Sequence, residues 1–100
     1  MSLFVLFHSP GPAWDPALPY PEQAGVTEHI GFMRSLAERG VMVLGGPFEH
    51  AEPDEPVGMV IIEAEDLAAA RAMAEEDRSL AAGLLTVNVR PWLPRMGNAH

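Results

Sequence analysis

The chain has 100 residues, 48% of them hydrophobic and 20% charged, with a formal net charge of −8 and no cysteine. That length holds one domain and one core, and the lack of cysteine excludes disulfides and thiolate chemistry. Its six basic residues are all arginines scattered singly, which leaves no basic patch for the phosphates of a nucleic acid.

No apolar run approaches the roughly 20 residues that a membrane helix needs, so no membrane partner is expected. The first residues lack the basic start and small-residue cleavage site of a signal peptide. A cysteine-free chain suits a reducing cytoplasm, the expected location.

Residues 3–7, Leu-Phe-Val-Leu-Phe, read as a strand buried on both faces. Residues 8–23, HSPGPAWDPALPYPEQ, follow with five prolines. Proline removes a backbone donor and fixes φ, so this segment is neither helix nor central strand. Thr27 is the expected N-cap of a first helix that runs to Arg39 and stops at Gly40. Ile30, Met33, Leu36 and Ala37 are spaced as its apolar face. Residues 41–44 form a second strand, closed by Gly45-Gly46-Pro47. A polar, acidic connection spans residues 48–56, and residues 59–62 form a third strand. Asp66 caps a second, alanine-rich helix over residues 67–76, and residues 79–83 make one more helical turn. Residues 84–90 form a fourth strand in which Leu85, Val87 and Val89 alternate with Thr86, Asn88 and Arg90. Pro91 and Pro94 end it. Residues 1–95 make a single domain, and residues 96–100 read as a loose C-terminal tail.

The order β-α-β-β-α-β predicts an α+β, ferredoxin-like fold: a four-stranded antiparallel sheet with both helices on one face. Its first strand is apolar on both parities, so the bare face would be a large apolar patch. A homodimer packed sheet on sheet covers it.

Strands that alternate in direction bring five features to one end of the sheet. These are the end of the first strand, the start of the first helix, the turn after the second strand, the end of the second helix and the start of the fourth strand. His29 extends the stripe of Phe32, Met33 and Leu36 on the first helix. Asp77 extends the stripe of Leu67, Ala70 and Ala74 on the second. A partly buried imidazole and carboxylate within reach pair with each other, because a lone buried charge is costly. The proline-rich segment leaves the first strand at this end and crosses to the first helix, so it roofs the pocket. Its stiffness lowers the entropy lost on ordering. His8, Trp14 and Phe48 are the candidates for contact with a small-molecule ligand, with the parity of the first strand deciding where His8 points.

The segments EHIGFMRSLAERGVMVLGGPF (residues 28–48), EEDRSLAAGLL (75–85) and VRPW (89–92) resemble the YCII-related, or YciI-like, proteins. FHSPGPAWDP (7–16) resembles the start of one subgroup. The resemblance covers nearly the whole chain. It implies a dimeric α+β barrel of ferredoxin-like type and an active site built on a His and an Asp, here His29 and Asp77. The family usually has proline after that aspartate, where this chain has Arg78. Some relatives resemble muconolactone-type isomerases and dehalogenating enzymes that act on small ring lactones.

Each of these residues also has a plainer reading. His29 would be a packing histidine at a helix start, Asp77 a cap for the following turn, Trp14 loop packing, and His50 and His100 solvated. His8, His29 and Asp77 together could be read as metal ligands, but no HExxH or closely spaced histidine pair supports a metal. The glycines at 45 and 46 lack a phosphate-cradling pattern, and no cofactor is expected. A His–Asp dyad suits general acid–base chemistry: isomerisation, lyase or dehalogenation of a small organic acid or lactone. The competing reading is a ligand-binding or accessory dimer without catalysis.

Overall fold

Alternation along the strands decides which residues meet the helices. In the computed structural model, which describes residues 1–97, β1 (Ser2–Pro10) sits inside a sheet whose order is β2-β3-β1-β4. Here β2 is Met42–Pro47, β3 Gly58–Ala64 and β4 Leu85–Trp92. All neighbours are antiparallel, the ferredoxin-like arrangement. Phe4 lies opposite Ile62 and Leu6 opposite Val60. These four pack against Phe32 and Leu36 of α1 (Val26–Glu38) and Ala70 and Ala74 of α2 (Leu67–Ala74). The alanines let α2 lie close to the sheet. Leu6 and Leu36 are fully buried, each worth about 1.5–3 kcal/mol of hydrophobic stabilisation.

The other face carries no helix. There Val5 lies opposite Ile61, and Phe7 opposite Met59. Leu44 of β2 also pairs with Ile61 and is 70% exposed. Both parities of β1 are apolar as expected, with Val5 shielded by its neighbours Ile61 and Arg90.

Several boundaries depart from the sequence reading. Thr27 does not cap α1. The chain enters through Gly25 at φ 89°, a left-handed conformation natural to glycine, and Val26 is the first helical residue. Ala37 faces solvent and Ile30 is partly exposed at a cavity wall; the buried stripe is Val26, His29, Phe32 and Leu36, with Met33 packed against it as expected. The helix ends as expected at Gly40. Val41 N–H donates to Leu36 O and Gly40 N–H to Ala37 O, a Schellman closure. β2 continues through Gly45, Gly46 and Pro47, and β4 through Pro91 to Trp92. Both are edge strands, where a proline can sit with its missing donor turned away from the ladder. Asp66 caps α2, accepting from Ala69 N–H at 2.8 Å. α2 ends at Ala74, and a separate short helix, α3 (Arg78–Ala81), follows. Of the expected tail, residues 98–100, including His100, lie outside the described residues.

Candidate active site

His29 comes from the first turn of α1 and Asp77 from the N-cap of α3. His29 Nδ1 lies 2.6 Å from Asp77 Oδ2, and both side chains are buried. The other carboxylate oxygen, Oδ1, accepts from Ser79 N–H at 2.9 Å. The two expectations for Asp77, cap and partner of His29, are therefore met by different oxygens of one group. Burial alone pushes the Asp77 carboxyl up. The His29 and Ser79 hydrogen bonds and the His29 charge outweigh it and hold the carboxyl below its ordinary range. The Ser79 hydroxyl lies close enough to favour the carboxylate but makes no hydrogen bond of good geometry. An ionised Asp77 accepts, so His29 Nδ1 carries the proton and Nε2 is left as the basic atom.

Strand parity turns His8 inward, on the same face as Phe4 and Leu6. Its ring meets the His29 ring edge-on at 4.7 Å, and its Nε2 lies 3.9 Å from Asp77 Oδ2, beyond hydrogen-bond reach. His8 is 2% exposed and its Nε2 has no partner. Burial, and then the neighbouring His29 charge, lower its pKa to about 4, with Asp77 opposing. His8 is therefore neutral near pH 7.

A cavity of about 350 Å³ opens beside the two imidazoles. Tyr20, Met33, Pro47 and Val60 are among its walls, and no Lys, Arg, Asp or Glu lines it. Tyr20 reaches it from a 3₁₀ turn (Tyr20–Glu22) in the proline-rich segment, with its ring 6.2 Å from His29. Burial, helped by the Asp77 charge, raises its phenol to about 12, so it stays protonated.

The segment is pinned as a roof. Gly11 N–H donates to Leu84 O and Ala13 N–H to Gly83 O, each at 2.8 Å. A Cβ at position 11 would stand 2.3 Å from Gly83 O, so this approach requires glycine. The buried Gln23 side chain ties the interior of the loop. It accepts from Asp15 N–H at 2.9 Å and donates to Asp15 O and Leu18 O at 2.7 and 2.8 Å. Gln23 went unnoticed in the sequence. A single amide in a polar loop carries no pattern, and only its burial marks it.

Trp14 and Phe48 stand apart from the dyad cavity. Trp14 packs on a small cluster of Val26, Leu84 and Leu85. Both border a neighbouring cleft of about 540 Å³, which shares Tyr20, Pro47 and Val57 with the cavity. His50 is solvated, as expected.

His8, His29 and Asp77 each offer a ligand atom within 4.8 Å of the others, a two-histidine, one-carboxylate set that could hold a divalent cation. His29 Nδ1 and Asp77 Oδ2 already engage each other at 2.6 Å, so a cation held by those two atoms would have to replace that hydrogen bond.

The model of the YCII-related domain matches residues 3–93. The chain belongs to the YCII-related family. Among solved structures, this YCII-related protein is similar to 5-chloro-2-hydroxyhydroquinone dehydrochlorinase from Burkholderia phenoliruptrix in complex with 2,5-dihydroxybenzoquinone. The TM-score is 0.62 at 21% identity, over 91% of this chain and 93% of that one. At that identity the likeness speaks for the fold. No curated protein matches the chain. Arg78, where the family resemblance implies a proline, is the exposed first residue of α3. The first turn of a helix leaves its N–H groups without helical partners, so either residue suits this position and the Asp77 cap is intact.

Proposed function

We propose that this YCII-related protein is a small-molecule enzyme in which His29 acts as general acid and base and Asp77 orients it. The observation that carries this reading is the 2.6 Å bond between two buried side chains at the wall of an apolar cavity. Asp77 holds the Nδ1–H tautomer and stabilises the imidazolium that forms when Nε2 takes a proton. The reaction class is isomerisation, elimination or dehalogenation. Elimination of HCl needs a proton acceptor and an exit for chloride, and neither oxidant nor reductant. The similar dehydrochlorinase supports that branch. A cavity without a cationic side chain favours an uncharged ring, such as a lactone or a hydroxylated hydroquinone, over a free carboxylate.

The test is incubation with chlorinated hydroxyhydroquinones and with unsaturated five-membered lactones. Chloride release and ultraviolet absorbance are followed for wild type, His29→Ala and Asp77→Asn. One class should turn over, and His29→Ala should lower the rate by about 10²–10⁴. If these compounds stabilise the protein against heat and none turns over, it is a ligand-binding module instead.

The same reading includes a homodimer joined through the open sheet face, where Val43, Leu44 and Trp92 are exposed. It also includes a cytoplasmic setting, on the cysteine-free composition. No described helix is long and apolar enough to cross a membrane.

A further inference from the structure

Tyr20 is the polar side chain of the cavity wall that the dyad leaves unused. It is the chain's single tyrosine, and the proline-rich segment holds it between Pro19 and Pro21 in a 3₁₀ turn. Two rings flank its own: Trp14, with centroids 6.1 Å apart, and His29, at 6.2 Å and nearly edge-on. The flanking prolines and the bond from Gln23 N–H to Tyr20 O fix the backbone, so the ring is placed before any ligand arrives. Phenylalanine would supply the same packing. The hydroxyl is a different matter. It makes no hydrogen bond with a protein atom among the described residues. Half-burial strips the side chain of part of its water, a cost that a ligand accepting from the O–H offsets. Tyr20 and the two histidines are the side-chain donors of the cavity wall. His8 Nε2 is closed off on the side of Asp77, and His29 Nε2 is the basic atom. The phenol O–H is thus the side-chain donor left for a ligand oxygen.

We infer that Tyr20 is a second catalytic residue, whose phenol O–H donates a hydrogen bond to the substrate oxygen on which negative charge gathers as His29 removes a proton. The inference rests on the dyad reading above. In the step, a C–H bond beside a ring carbonyl breaks and its proton passes to His29 Nε2. The electron pair moves onto the carbonyl oxygen, giving an enolate that the Tyr20 O–H holds. The enolate then re-forms the carbonyl and expels chloride from the carbon next to the one deprotonated, or it takes the proton back from His29 at another carbon. The first course is loss of HCl and the second is isomerisation, and neither consumes an oxidant or a reductant. Tyr20 keeps its own proton throughout, since burial and the Asp77 charge hold the phenol well above neutral pH. The substrate class is an uncharged ring with a carbonyl group: a lactone, or the keto form of a chlorinated hydroxyhydroquinone. The base stands on α1 and the donor in the roof, so the site is complete only with the proline-rich segment in place.

The experiment uses 4-nitrophenol, whose visible absorbance separates phenol from phenolate, with wild type and Tyr20→Phe. Phenylalanine keeps the ring and its packing and removes only the donor. Wild type should bind the phenolate about tenfold or more tightly than Tyr20→Phe, and the bound probe should ionise at a lower pH in wild type. With a turned-over substrate, Tyr20→Phe should lower kcat by about 10²–10³ with little change in KM. A tyrosine that only packs would leave both readings unmoved. Equal phenolate affinity in the two proteins overturns the role of Tyr20. Retained turnover in His29→Ala overturns the dyad, and the phenolate titration then still decides for or against Tyr20.

Discussion

Asp77 divides its two oxygens between two tasks: Oδ2 takes the His29 imidazole at 2.6 Å, and Oδ1 caps α3 through Ser79 N–H at 2.9 Å. Substitutions at this position therefore separate folding from tautomer control. Asparagine is as good an N-cap as aspartate, but it is uncharged and its amide can present a donor to His29. Asp77→Asn should keep most of the stability and lower kcat by about 10²–10⁴. Asp77→Ala loses the cap, about 1 kcal/mol, and a charge-assisted hydrogen bond, about 1.5–3 kcal/mol. Urea denaturation of the pair checks this. Equal stability of the two variants would show that Oδ1 does not support α3.

His8 should make the fold sensitive to acid. Its folded pKa is about 4, below the ordinary 6.5, so between these values the unfolded chain binds the extra proton. Stability from this group is full above about pH 6.5 and falls as the pH drops toward 4, by up to about 3 kcal/mol. The Asp77 carboxyl is also depressed, and its contribution disappears at still lower pH, below the ordinary aspartate value. Denaturation midpoints of wild type and His8→Leu between pH 4 and 7 check the sign. The variant should show the shallower dependence, and parallel curves would contradict the buried neutral imidazole.

At neutral pH His8→Leu should be more stable than wild type, by about 1–2 kcal/mol, because it replaces an unpartnered buried nitrogen with apolar volume. A lower melting temperature for His8→Leu would point to a structural role.

Gln23→Ala should free the roof. It removes three hydrogen bonds that tie residues 15, 18 and 23, at a cost of about 1–3 kcal/mol. Hydrogen exchange should quicken across residues 13–24 and stay slow in β1 and β3. Unchanged exchange in the loop would mean that the anchors of Gly11 and Ala13 suffice.

Light scattering should find two chains per particle, and Leu44→Asp on the open face should shift the population to single chains. A single-chain wild type would remove the sheet-on-sheet dimer.

The order of elements is legible because each strand and helix has its own period, and proline and glycine punctuate them. The meeting of His29 and Asp77 is legible for a topological reason: antiparallel strands return both helix ends to one edge of the sheet. The errors lie where tertiary contacts override local preference. Thr27 has the chemistry of a cap, but the roof delivers the chain through a left-handed turn at Gly25. Ile30 is as apolar as its neighbours, yet the phase of α1 is set by Val26, Phe32 and Leu36. Gly45, Gly46 and Pro91 read as strand ends, yet β2 runs on to Pro47 and β4 through Pro91 to Trp92, which the edge position of both strands permits. The lack of a partner for His8 Nε2 and the burial of Gln23 depend on side chains distant in sequence, which no local pattern records.

The anchors of the roof and the partner of His29 lie on one short stretch of chain. Gly83 and Leu84 hold the proline-rich segment by their carbonyl oxygens, and only a few residues earlier Asp77 holds His29. A ligand that enters by prising the segment from those carbonyls pulls on the same turn that aims the imidazole. Any opening of the roof and the orientation of the His29 ring thus run through one turn of chain.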